Sequence, residues 1–425
     1  MNRSLLIPFS MAVVLHVALA ILVEPRVEID SAFYRTQAEA LVAQGASLDA
    51  AGEPETRYTP GYPLFLAAFL AGGLGYTGAM AAQHLIWIAL VAAAMWLTLR
   101  ASGSPLAAAA AGLITALDLP GVQSSISVLS ETLAAATLAG AVCCTFAAIR
   151  AAVPSAVVRW AVLAGVLAGA TALVRPIAIL LGVPLAMAIL IGADRHRRIA
   201  AAVALLAAFA VLPAFWIARN ARETGVATLS SLAGINLLHF RAAGTLAIRD
   251  PGGIDANLGR RQNELEQMAC SELESKYQRP CTSISWAERS GVYADTAWPI
   301  LLGDPFATGR QAARALGMIV LGGSASLLSE LTGVSERAAR LLSLAYTVPL
   351  AALAALGIPY WWRRNRAFAW LVLLVLVYMF GMALGAEAYS RFRVPVITLY
   401  AILCGGGVAW LRDSVLREPK ERLTS

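Results

Sequence analysis

Apolar runs recur along the chain between short polar hinges. Runs of about 20 residues are enough to cross the hydrocarbon core as helices, which satisfy their own backbone polar groups. They predict spans near 5–23, 77–99, 105–120, 129–149, 160–176, 178–193, 199–217, 341–361, 367–385 and 395–411. The expected fold class is therefore an all-α polytopic membrane protein with about ten transmembrane helices. Two further apolar stretches fit less well. Residues 61–74 are short and glycine-rich, and a crossing at 311–331 would put the basic WWRRNR hinge on the wrong side. Both are read as helices lying in the interface or dipping into the protein.

The hinges alternate in charge. Arg100, the segments 150–159, 194–198 and 363–366, and the tail from Arg412 all fall on one side, which the positive-inside bias makes cytoplasmic together with both termini. The chain then divides into four parts. Residues 1–217 form a seven-helix transmembrane module that includes a first outer loop, 24–76; residues 218–340 form an extracytoplasmic lobe with an interfacial helix; 341–411 hold the C-terminal spans; and 412–425 are a cytoplasmic tail. The polar stretch 249–298 has helical charge spacing but few bulky apolar residues, so it reads as a small lobe without a core of its own. The first run reads as an uncleaved anchor, too long for a signal-peptide core and followed by no small-residue cleavage site.

Composition agrees with the pattern. The chain is 59% hydrophobic and 14% charged, where a soluble domain carries about a quarter charged residues. Its mean hydropathy is +0.68. The formal charge of +7 lies largely in the hinges, which argues against a nucleic-acid partner. Cys143, Cys144 and Cys404 fall in apolar runs as packing residues. Cys270 and Cys281 share one polar loop and are a disulfide candidate if that loop lies outside the cytoplasm. His16, His84, His196 and His239 have no ligand spacing, so no protein metal site is assigned and no cofactor is required, although outer carboxylates leave a divalent metal open. A Gly-rich phosphate loop, a nucleophile elbow and a Ser/His/Asp order are all missing. Glycines in GVLAGATALVRP stand at helix-packing spacing.

Candidate chemistry concentrates beside the first span. Residues 24–63 carry acids, tyrosines and arginines, a short amphipathic helix after Asp30, and a rigid Thr59-Pro60-Gly61-Tyr62-Pro63 turn. The helix would set Phe33, Ala40 and Leu41 against Arg35, Gln37 and Glu39. Asp30 is the candidate general base, held on an ordered segment where a substrate proton can be reached; the alternative is a helix N-cap. Asp118, Glu131 and Glu387 lie at the same level, and for Asp118 and Glu131 a helix-terminus role is the alternative. Arg57, Arg175, Arg219, Arg222, Arg391 and Arg393 collect at the outer interface against the charge bias, several beside proline or aromatic residues. Together they would bind a phosphate through bidentate hydrogen bonds; singly, each could pair with lipid headgroups. Tyr34, Tyr58, Tyr62, Asn220 and Glu387 complete the candidate substrate site.

Several stretches in order then carry a family resemblance. They are Asp30-Ser31-Ala32-Phe33-Tyr34, Arg57 to Phe65 (RYTPGYPLF), Ser130-Glu131-Thr132-Leu133, Leu173-Val174-Arg175-Pro176, Arg219-Asn220, and Ser390-Arg391-Phe392-Arg393-Val394-Pro395. The chain resembles the GT-C membrane glycosyltransferases, in the bacterial branch related to protein O-mannosyltransferases and the lipid A aminoarabinose transferase. The resemblance implies a seven-helix module with juxtamembrane helices over the site, in a multi-pass protein of the bacterial inner membrane. It implies transfer of a sugar from a polyprenyl-phosphate donor to a cell-envelope acceptor (lipid, glycan or protein) at the outer face, with inversion and with Asp30 catalytic. Protein O-mannosyltransferases place a second acid directly after the first; here Ser31 stands there, and Glu131 is the substitute. The second functional class is a flippase-like transporter of lipid or lipid-linked glycan, which would call for charge near the bilayer midplane.

Overall fold

The computed structural model describes residues 3–421, so the last four residues of the tail predicted over 412–425 lie outside the described residues. The chain begins with α1 (Arg3–Leu22), α2 (Ile29–Gln44), α3 (Gly61–Ala71), α4 (Gly75–Ser102), α5 (Pro105–Ala116) and α6 (Leu119–Ser125). There follow α7 (Glu131–Arg150), α8 (Pro154–Val174), α9 (Gly182–Gly192) and α10 (Arg198–Thr224). The lobe comprises α11 (Leu232–Ile235), a π-helical segment (Asn236–Ala242), α12 (Ala243–Ala247), α13 (Gly253–Tyr277) and α14 (Trp286–Gly303). Last come α15 (Pro305–Leu321), α16 (Ala325–Thr332), α17 (Glu336–Arg364), α18 (Arg366–Met382) and α19 (Ile397–Glu421). The protein is an all-α polytopic membrane protein.

Among the described residues eight helices are long and apolar enough to cross a membrane. Seven of them coincide with predicted spans, and the eighth is Pro305–Glu330, which covers most of the stretch expected to be interfacial. It is apolar enough to cross, but it is broken between α15 and α16 at Gly322-Gly323-Ser324. The three remaining predicted spans differ from simple crossings for visible reasons. The run at 105–120 is apolar and long enough to cross when α5 and α6 are taken together, but it bends by 54° between them, because Asp118 accepts the Gly121 N–H at 3.0 Å and starts a new helix with Pro120 in its first turn. Those at 178–193 and 367–385 become shorter apolar helices, Pro176–Gly192 and Arg366–Met382.

Small residues set the closest crossings. A Cβ on Gly165 would come within 2.2 Å of Leu205 O and one on Gly169 within 2.7 Å of Phe209 O, so their four-residue spacing lets α8 lie directly on α10. Gly357 against Leu403 O and Gly407 against Leu353 O do the same for α17 and α19. Close approach of backbones replaces the hydrophobic driving force that lipid removes.

Two expectations change. The lobe does have a core of its own: Leu238, Leu265, Leu273, Ile284, Val292 and Tyr293 are buried together, because α13 and α14 pool sparse apolar residues against the π-helical segment. Helix α2 turns a different face inward, burying Ser31, Tyr34, Gln37 and Ala38 rather than Phe33 and Ala40. Gln37 tolerates this because its amide donates to Ser47 Oγ and to Tyr58 O.

Helix directions define two ends of the bundle. Glu131 opens α7 and pairs with Arg175 just past α8, whereas Ser102, at the far end of α4, accepts from Arg364 at the end of α17. Asp30 and Arg391 lie at the Glu131 end.

Candidate active site

Asp30 sits in the first turn of α2, and it is not the cap. Glu28 caps the helix in a reciprocal box with Ser31, whose hydroxyl accepts from Glu28 N at 2.8 Å and donates to Val128 O at 2.9 Å. The Asp30 carboxylate is thereby left for other partners. Ser31 is fully buried, so a second acid at that position would be a buried charge in place of a satisfied hydroxyl.

Arg391 is the hub. Its Nη2 donates to Asp30 Oδ2 at 2.6 Å, its Nε donates to Glu131 Oε1, and its Nη1 donates to Tyr389 Oη at 3.1 Å. Glu131 Oε1 also accepts from Arg175 Nη1 at 2.6 Å. Arg175 is aimed there because Pro176 ends α8 and leaves the residue before it extended, at φ −138°. Two acids and two arginines thus form one neutral cluster from four distant segments. Their side chains are 0% exposed for Glu131, 12% for Arg175, 18% for Arg391 and 31% for Asp30, so Asp30 is the member most open to a substrate. Glu131 Oε2 is buried without a hydrogen-bond partner among the described residues.

Aromatic residues frame this cluster. Tyr58 Oη donates to Asp30 Oδ1 at 3.4 Å, and Tyr34 Oη lies 3.2 Å from Ser130 Oγ. Burial, reinforced by the Asp30 charge, pushes the Tyr34 phenol up to about 12 and raises Tyr58 as well, so both are neutral hydrogen-bonding groups at neutral pH. Tyr62 stacks edge-on against Tyr34 at 5.0 Å and is fully buried.

The other predicted residues are engaged elsewhere. Arg57 is paired with Glu55 through two donor atoms, at 2.8 and 3.2 Å, and lies over the rings of Phe33 and Trp286. Arg219 donates to Ser47 O, Glu55 O and Asn220 Oδ1, stapling the first loop to α10. Asn220 in turn donates to Thr228 O at 2.8 Å. Arg393, expected beside a phosphate, is 1% exposed, bonded to Asp118 at 2.9 Å and to the carbonyls of Ile319, Val320 and Gly322. Surrounded in this way it has no face for a ligand, and its assignment to the phosphate set is corrected to a buried ion pair.

Glu387 is separate from the hub. It packs over Gly385, where a Cβ would stand 2.0 Å from its Oε2, and burial raises its carboxyl to about 7 against the opposing charge of Arg241. The sequence assigns no role to Ser130, Tyr389 or Glu55, although each stands within two residues of a candidate site residue. In the lobe, Cys270 and Cys281 are joined, with Cα atoms 5.3 Å apart. Among the described residues the one grouping of three potential metal ligands is Glu266 with these two cysteines, whose sulfurs are spent on each other.

No protein-family model and no curated protein matches the chain. Solved structures do resemble it. One is the archaeal oligosaccharyltransferase AglB from Archaeoglobus fulgidus, solved with an inhibitory peptide and a dolichol-phosphate, at 14% identity and a TM-score of 0.55 over 95% of this chain and 50% of that one. Another is ArnT from Cupriavidus metallidurans in the apo state, at 15% identity and a TM-score of 0.43 over 94% of this chain and 77% of that one. The chain spans about half the length of AglB. Its 95% coverage includes both the spans and the connecting lobe, and the chain therefore shares the polytopic helical fold of the matched half of that oligosaccharyltransferase.

Proposed function

We propose that the protein is a membrane glycosyltransferase that moves a sugar from a polyprenyl-phosphate donor to a cell-envelope acceptor at the extracytoplasmic face of a bacterial inner membrane. The observation that carries this reading is the Asp30–Arg391–Glu131–Arg175 cluster, two acids and two arginines at one end of the bundle with Asp30 the most exposed member. A donor with its prenyl tail in the bilayer can present its phosphate there. Its phosphate competes with Asp30 for Arg391, and Arg175 adds a second positive charge where the leaving group forms.

The chemistry balances within these groups. The acceptor O–H or N–H gives its proton to the Asp30 carboxylate as the acceptor atom bonds to the anomeric carbon. The bond from that carbon to the phosphate oxygen breaks on the opposite face, and polyprenyl phosphate leaves with the electron pair. Glu131, buried between both arginines, keeps them in place rather than touching the acceptor. Tyr58 forms the wall beside the sugar, backed by the buried Tyr34 and Tyr62, while Arg57, Arg219 and Asn220 hold the loop that follows α2.

The test is Asp30→Asn in purified enzyme with polyprenyl-phosphate sugars and envelope extracts as acceptor. Loss of transfer with retained binding of polyprenyl phosphate is the expected result; unimpaired transfer rules out the role of Asp30.

A further inference from the structure

At the opposite end of the bundle from Asp30, the ends of α17 and α19 and the α4–α5 turn enclose an open groove. Its main part, about 310 Å³, is lined by Tyr360, Arg363, Arg364, Trp410, Asp413 and Ser414. An adjoining part of about 250 Å³ continues along the α4–α5 turn and reaches Arg412. Tyr360 lines both parts, and α17 packs closely on α19 here because position 406 is glycine: a Cβ there would lie 2.5 Å from Trp361 Nε1 and 3.0 Å from the Tyr360 ring.

The arginines of this groove differ from others at the same end. Arg197 and Arg198 are tied to the backbone carbonyls of Ala152 and Leu190. Arg363 instead stacks its guanidinium 4.7 Å from the Trp410 ring centroid and has no hydrogen-bond acceptor among the described residues. Stacking fixes the plane of the guanidinium and leaves its in-plane N–H groups to a ligand, the geometry that suits a phosphate. Arg364 uses Nε on Ser102 O at 2.7 Å, which leaves its Nη groups beside the groove. Arg412 is paired with Asp413, the one acid lining the groove.

The two helices that carry the groove are apolar membrane spans that end beside it. On their other faces Ile358 and Trp362 of α17, and Leu411 and Val415 of α19, are exposed at the same level, and Trp362 packs against Trp370 at 5.2 Å as residues of an interfacial aromatic belt do. A positively charged pocket at the ends of two apolar spans fits an amphiphile rather than a free anion.

We propose that this groove is a second ligand site, which takes the phosphodiester headgroup of an anionic membrane phospholipid. Arg363 and Arg364 hold the phosphate, and the acyl chains lie along the exposed faces of α17 and α19. The site is separated from the Asp30 cluster by the length of the bundle and does not depend on the proposed transfer reaction.

The test is native mass spectrometry of the full chain released from detergent micelles containing phosphatidylglycerol or phosphatidylcholine. Retention of phosphatidylglycerol should exceed that of phosphatidylcholine by about fivefold or more, from the attraction of each basic residue near an anionic lipid. Arg363→Gln combined with Arg364→Gln should abolish the preference. Asp413→Asn, which removes the competing acid, should strengthen it, and this gain cannot come from misfolding. Arg159→Gln, on the same end but outside the groove, should leave it unchanged. Equal retention of both lipids, persistence of the preference in the double variant, or its equal loss in Arg159→Gln would each overturn the proposal. So would displacement of the lipid by millimolar inorganic phosphate, which would make the ligand a soluble anion.

Discussion

Arg391 and Arg393 stand two residues apart in one turn and end on different carboxylates: Arg391 on Asp30 and Glu131, Arg393 on Asp118. The first pair of contacts is partly open and the second is fully buried, so two arginines of the same short motif have different work. Arg391 belongs to the candidate active site, and Arg393 locks the bent α5–α6 segment to the start of α19.

That division predicts opposite phenotypes. Arg393→Ala leaves Asp118 as an unpaired buried charge and should cost about 3–5 kcal/mol, seen as a large fall in melting temperature in detergent. Arg391→Ala should lower transfer by about 100-fold or more with a much smaller loss of stability, because its site is partly solvated. Similar melting temperatures for the two variants would contradict the assignment.

Glu131 holds Arg175 and Arg391 through a single oxygen, so shortening it should release both. Glu131→Asp retains the charge but withdraws the carboxylate by one methylene. Donor KM should rise about tenfold or more while kcat changes less, since positioning of the phosphate is what is lost. A fall confined to kcat would instead make Glu131 part of the chemical step.

Arg219 donates to the carbonyls of Ser47 and Glu55, and both lie in the loop between α2 and α3. Arg219→Ala should free that loop at a cost of about 1–3 kcal/mol, the penalty for leaving polar groups unpaired. Hydrogen exchange should quicken across residues 45–58 and stay unchanged in α13. Uniform exchange in the variant would remove Arg219 from this holding role.

Glu387 has its folded carboxyl raised to about 7 by burial, from an ordinary value of 4.5. A raised acid favours the folded state where it is protonated, so its stabilisation is fully present below pH 4.5 and is lost as the pH rises through about 7. Stability should therefore decline between these values. Glu387→Gln, which keeps the neutral shape, should flatten the decline and be more stable than the parent at pH 8 by up to about 3 kcal/mol. Parallel pH–stability curves for the two proteins would refute this.

Much of the fold was legible in the chain because hydropathy is a local property. An apolar run long enough to cross the membrane announces itself whatever surrounds it, and the Gly165–Gly169 spacing announced a close helix crossing in the same way. The lobe was harder to read, because its core is assembled from residues sparse in any one segment, such as Leu238, Leu265 and Ile284. The break at Gly322-Gly323-Ser324 and the bend at Asp118 were likewise missed, since both interrupt runs whose average hydropathy stays high.

For the site, the sequence by itself determined the inventory: Asp30 after the first span, Glu131 at a helix start, and arginines where the charge bias disfavours them. It could not assign those arginines to partners. Arg57 and Glu55 are two residues apart, but Arg391 and Asp30 are separated by 361, and Arg393 and Asp118 by 275. An arginine reaches any acid within about the length of its side chain, and which acid that is depends on how the helices pack. The close glycine crossings, the Pro176 break and the Glu28 cap made that choice, because they fix where each side chain starts and leave a buried guanidinium no water to pair with instead.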